Sequence, residues 1–85
     1  MAEVTMYTTA GCPFCKMTER MLEAMGISDV VRIRVDLDPA ARAEMMRRTG
    51  RRTVPQIYIG DTYIGGYEEL AALHHAGKLE ELLGV

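Results

Sequence analysis

The chain is poor in most features that mark a specialised sequence class. It has two cysteines in 85 residues, too few for a small secreted scaffold held by disulfides. No apolar run approaches the roughly 18 to 20 residues that span a membrane. The opening MAEVTMYTTA has no basic segment followed by an apolar stretch, so no signal peptide is expected. A net charge of −2 makes a general nucleic-acid binder a poor fit. With 48% hydrophobic residues, that small charge also excludes a disordered chain. There is no internal repeat, low-complexity segment or linker. Residues 1–85 therefore read as one domain, since two would each fall below the size of a stable core.

Charge is unevenly spread. Residues 42 to 52 carry Arg42, Arg47, Arg48, Arg51 and Arg52 against Glu44 alone. Residues 53 to 85 carry Lys78 against Asp61, Glu68, Glu69, Glu80 and Glu81. The plain reading is solvated helix faces and loops; the sharper one is an anion-attracting patch beside an acidic one.

Residues 3 to 8 alternate, with Val4, Met6 and Thr8 on one side and Glu3, Thr5 and Tyr7 on the other, which predicts a strand. Residues 13 to 25 predict a helix, with Pro13 in its first turn and Gly26 as its stop. Phe14, Met17, Met21, Leu22 and Met25 recur there at helical spacing. Residues 30 to 36 predict a second strand with Val31, Ile33 and Val35 on one face. Asp38 caps a second helix, Pro39 opens it and Gly50 ends it. Residues 54 to 59 and 62 to 64 form a hairpin around Gly60-Asp61. Helices follow at about 67 to 75 and around Leu79, Leu82 and Leu83. The order β-α-β-α-β-β-α predicts an α/β fold with a mixed four-stranded sheet and helices on both faces. Met17, Met21, Met45 and Met46 read as core filler rather than metal ligands.

The chemistry concentrates at Gly11-Cys12-Pro13-Phe14-Cys15, where the first strand turns into the first helix. A disulfide closing so small a loop is a weak staple, so the pair serves reactivity or metal binding, or is incidental. Zinc needs two further ligands. No second C-x-x-C exists, and His74 and His75 are neighbours pointing about 100° apart on a helix. Cys12 falls at the start of the helix, where unpaired N–H groups and the helix dipole favour an anion. Both favour its thiolate. Cys15 returns to the same helix face, within reach of Cys12. The pattern assigns Cys12 as nucleophile and Cys15 as resolving thiol.

These residues resemble the small bacterial dithiol members of the glutaredoxin family. Cys12-Pro13-Phe14-Cys15 is similar to the family's C-P-Y-C. Thr53-Val54-Pro55 is similar to its T-V-P segment, and Gly65-Gly66-Tyr67-Glu68-Glu69-Leu70 to its G-G-C/F-D-D-L. The resemblance implies a thioredoxin-like fold with Pro55 in cis. It implies a glutathione groove lined by Phe14, Arg52, Thr53, Val54, Pro55, Gly66, Tyr67 and Glu68. It implies glutathione as reducing co-substrate, with no metal, for a cytoplasmic monomer acting on disulfide-bonded or glutathionylated proteins. One departure is Thr9, where relatives commonly have Lys or Arg. Two rival readings are a redoxin reduced by thioredoxin reductase, and a relative bridging an iron–sulfur cluster.

Overall fold

The structure, a computed structural model, describes residues 2–84. Its elements run β1 (Val4–Thr8), α1 (Pro13–Ala24), β2 (Val30–Arg34), α2 (Pro39–Thr49), β3 (Gln56–Ile59), β4 (Thr62–Gly65), α3 (Tyr67–His75) and α4 (Leu79–Leu83). The sheet order is β2-β1-β3-β4. β1 pairs parallel with β2, and β3 pairs antiparallel with both β1 and β4. This is the mixed four-stranded sheet that the element order predicts.

Alternation along β1 feeds two separate cores. Val4 and Met6 point to one face and join Leu22, Ile57, Ile59, Leu70, Leu79 and Leu83 under α1, α3 and α4. Tyr7 points to the other face and packs with Val35, Met45 and Tyr58 under α2. Arg48 closes this second core. Its guanidinium lies 4.2 Å from the centre of the Tyr58 ring and donates to the Tyr7 hydroxyl at 2.9 Å. Such a stacked, hydrogen-bonded arginine is part of the packing as much as of the surface charge.

The helix boundaries follow local chemistry. Asp38 accepts from the Ala41 N–H at 3.1 Å and caps α2, with Pro39 just inside. Gly50, at φ +71°, ends it in the left-handed conformation that side chains disfavour.

Three sequence expectations are corrected. α1 buries Cys15, Thr18 and Leu22, while Phe14 and Met17 are 51% and 41% exposed. The inward stripe is thus rotated from the one that large apolar residues suggested. The Thr18 hydroxyl tolerates burial because it donates to the Phe14 carbonyl at 2.9 Å. Met45 is core, as read, but Met17 is not. Val31 is also exposed, on an edge strand with β1 on one side only. β3 starts at Gln56 rather than residue 54, since Pro55 has no N–H to give to a ladder.

Truncating the buried stripe should therefore cost far more than truncating the exposed one. Leu22→Ala is expected to lose about 2–5 kcal/mol. Met17→Ala should stay within roughly 0.5 kcal/mol of the parent. Urea unfolding of both variants checks the helix register, and equal losses would place Met17 back in the core.

Candidate active site at the start of the first helix

Cys12 is the N-cap of α1, and its sulfur occupies the position a serine or aspartate oxygen usually takes. The Cys15 N–H donates to Cys12 Sγ at 3.2 Å. The sulfur thus takes up one of the N–H groups that the first turn of a helix leaves unpaired. Pro13 removes one unpaired donor of that turn. Gly11, at φ +72°, lets the chain turn from β1 into the helix. From the other side, the Val54 carbonyl lies 3.7 Å from Cys12 Sγ. The Val54-Pro55 bond is cis, as the family resemblance implies.

The two thiols are unbridged and unlike. Cys12 is half-buried and Cys15 is buried. Burial, with the Cys12 sulfur beside it, pushes the Cys15 thiol up to about 11. Near neutral pH it stays protonated. Of the two sulfurs named from the sequence, Cys12 is the more accessible.

Beside these thiols lies a groove of about 270 Å³, lined by Phe14, Thr53, Val54, Pro55, Gly66, Tyr67 and Glu68. These residues come from three separate segments of the chain. The Phe14 and Tyr67 rings meet across it at 6.0 Å. Arg52, also named from the sequence, is exposed and does not line it. Arg51 does, together with Gln56 and Glu69. Nothing in the sequence separates Arg51 from Arg52. Glu69 had a signal: it stands three residues after the helix cap Gly66, the spacing of a capping box.

Glycine has no side chain, so only the glutamate half of that box is made. Glu69 Oε1 accepts the Gly66 N–H at 3.0 Å and also pairs with the Arg51 guanidinium. The Gly66 N–H and Arg51 together hold the Glu69 carboxyl below its ordinary range. This oxygen sits where a Gly65 side chain would be: a Cβ there would come within 2.4 Å of it. A Cβ on Gly66 would meet the Pro55 carbonyl oxygen at 3.3 Å. The two glycines let the groove's walls approach each other.

Behind Cys12, Asp36 accepts the Ala10 N–H at 3.3 Å and a forked pair of bonds from Arg34. Thr9, in the place of the family's usual cation, adds no charge there. A larger depression of about 490 Å³ lies at the opposite end of β1 and β2, between Ala2 and Val31, and holds no cysteine.

Two neighbouring thiols at a helix start, one half-buried and one buried, on a thioredoxin-like fold mark a thiol oxidoreductase. Residues 4–64 match the glutaredoxin family model. The chain is 48% identical over 83 residues to a glutaredoxin of Neisseria meningitidis, covering 98% of each. It is 42% identical over 83 residues to glutaredoxin 3 of Escherichia coli, covering 98% of this chain and 99% of that one. A crystal structure of a buckwheat glutaredoxin–glutathione complex superposes with a TM-score of 0.89 at 27% identity, over 98% of this chain and 77% of that one. The chain belongs to the glutaredoxin family.

Acid should loosen the Asp36 contact. Its Arg34 partner and the Ala10 N–H hold the folded carboxyl at about 2, against an ordinary 3.8. Between those values the unfolded chain takes up more protons, so stability falls as pH drops through that window. Because the pair is exposed, the effect should be small. Asp36→Asn should flatten that part of the stability–pH curve, and an unchanged slope in the variant would show that Asp36 contributes nothing to it.

Proposed function

We propose that this protein is a glutathione-dependent thiol–disulfide oxidoreductase acting on protein disulfides and glutathionyl mixed disulfides. The observation that carries this reading is the setting of Cys12 Sγ. It lies between the Cys15 N–H of a helix start and the Val54 carbonyl at the edge of the groove. The superposition on a glutaredoxin–glutathione complex supports it.

In the one-thiol route, Cys12 thiolate attacks the glutathione sulfur of a protein–glutathione disulfide. That S–S bond breaks, and the protein sulfur leaves as a thiolate that takes up a proton. A second glutathione thiolate attacks the Cys12–glutathione bond, releasing oxidised glutathione and restoring Cys12. In the two-thiol route, Cys12 attacks a protein disulfide and forms a mixed disulfide. Cys15 then gives up its proton and attacks the Cys12 sulfur, breaking its bond to the substrate, which leaves as a dithiol; the Cys12–Cys15 disulfide so formed is reduced by two glutathione thiols, which depart as oxidised glutathione. The raised Cys15 thiol suits this order, because a protonated thiol does not compete with Cys12 for the first attack.

The groove then binds glutathione through backbone and charge. Val54's N–H and C=O pair with the cysteinyl part as an added strand. The N–H groups of Tyr67 and Glu68, in the first turn of α3, take the γ-glutamyl carboxylate. The Glu68 carboxylate faces the ligand's ammonium. Arg51, which lines the groove, replaces Arg52 as the cation for the glycyl carboxylate. The reading places the protein as a monomer in a reducing, glutathione-rich cytoplasm.

Cys12→Ser should abolish glutathione-dependent turnover, while Cys15→Ser should keep it on a glutathionylated substrate and lose it on a protein disulfide. Equal loss of both variants on the glutathionylated substrate would reverse the assignment of roles. Arg51→Ala should raise the KM for glutathione a few-fold, as expected for an exposed charge-assisted contact worth about 0.5–1 kcal/mol. Arg52→Ala should leave it unchanged; the opposite pattern in steady-state kinetics would return the role to Arg52.

A further inference from the structure

Gln56 is a polar side chain with no solvent access at all. It immediately follows Pro55 and opens β3. A buried amide must find its hydrogen bonds within the protein, and this one finds three. Its Nε2 donates to the Thr53 carbonyl at 2.9 Å and lies 3.3 Å from Thr53 Oγ1. Its Oε1 accepts from the hydroxyl of Tyr63 on β4. The direction of this chain is fixed by one group. The Thr53 carbonyl can only accept, so the Gln56 amide nitrogen must face it, and the Tyr63 hydroxyl must be the donor at the other end.

The chain ends on the loop that matters. Thr53 precedes Val54, whose carbonyl lies 3.7 Å from Cys12 Sγ. Tyr63 itself does not line the groove. Its ring is held against Tyr58 at 5.2 Å between centres, and the β3–β4 register shifts between Ile57 and Tyr58, beside Gln56. Rigid sheet packing therefore anchors one end of the chain, and a loop without strand pairing hangs from the other.

We propose that Tyr63, acting through Gln56, is a positioning residue that holds the Thr53–Pro55 loop at the spacing from Cys12 that binding of a thiol peptide requires. This rests on the reading that the groove takes glutathione. The energetics favour it. Removing the Tyr63 hydroxyl leaves a buried amide oxygen unpaired, and a buried unpaired acceptor is costly enough to drive rearrangement. The least anchored part of the network is the loop, so the loop moves. The sulfur atoms stay where the start of α1 puts them.

The test compares Tyr63→Phe, Gln56→Leu and the double variant with the parent. Two measurements are needed: steady-state turnover with glutathione on a small glutathionyl disulfide, and amide hydrogen exchange of the reduced protein. Tyr63→Phe is expected to raise the KM for glutathione about three- to tenfold and to change kcat less than twofold. The amides of Thr53 and Val54 should exchange faster. The double variant should be no worse than Gln56→Leu alone, as for residues that act as a unit. An unchanged KM and unchanged Thr53 and Val54 exchange in Tyr63→Phe would overturn the proposal, and so would losses that simply add. A kcat loss with KM intact would also overturn it, by moving the effect to the thiols. If the parent shows no glutathione turnover, the groove reading fails on its own. The exchange data then still decide whether the Tyr63 hydroxyl holds the loop. Thr53→Val, which removes only the weaker of the two Thr53 contacts, serves as the milder variant should Gln56→Leu fold poorly.

Discussion

A single hydrogen bond, from the Cys15 N–H to Cys12 Sγ, ties the fold of this protein to its chemistry. Helix starts need acceptors for their first N–H groups. Here the acceptor is the sulfur proposed as the nucleophile. The sulfur gains a hydrogen-bond donor, and α1 gains a cap, from the same contact. The cap holds that sulfur at the first turn of α1, so its position is set by secondary structure rather than by a flexible side chain. Cys15 follows from the same geometry: one turn along, it enters the buried stripe with Thr18 and Leu22.

The rest of the site is brought to that sulfur by the sheet. β1 delivers the chain to Gly11 and Cys12, and β3, its antiparallel neighbour, begins directly after Pro55. The cysteine loop and the Thr53–Pro55 loop thus emerge at the same end of adjacent strands. β4 leads through Gly65 and Gly66 into α3, whose first turn forms the third wall. Three segments far apart in sequence meet there because strand order leaves them no other exit.

Much of this was legible in the sequence. Element order, the caps of α1 and α2, the placing of Cys12 and Cys15 at a helix start and the two-sided sheet follow from spacing and from turn residues. What was missed has physical reasons. Apolar content pointed to Phe14 and Met17 as core, but α1 is oriented by its cap and by Cys15. Thr18, a polar residue, takes an inward position because it can satisfy its hydroxyl on its own helix. Val31 looked internal because a sequence cannot show which strand lies at an edge. Arg51 and Arg52 differ only in direction, and direction is set by Glu69 and the turn after Gly50. Gln56 carried no signal, since its partner Tyr63 is joined to it only through the pairing of β3 with β4.

Among the described residues, three of the eight arginines are paired with carboxylates. Arg32 is bound to Glu19, Arg34 to Asp36 and Arg51 to Glu69. Arg48 lies on Tyr58 and Tyr7, where it serves as a lid on an aromatic core. Within the run from Arg42 to Arg52, only Arg51 has a carboxylate partner among the described residues, and that partner, Glu69, lines the groove with it. The cation nearest the groove is thus the one that arrives with a counterion. An anion settling there has to share or displace Glu69, so the exchange of partners at contact distance counts for more than the screened charge of the exposed arginines beyond it.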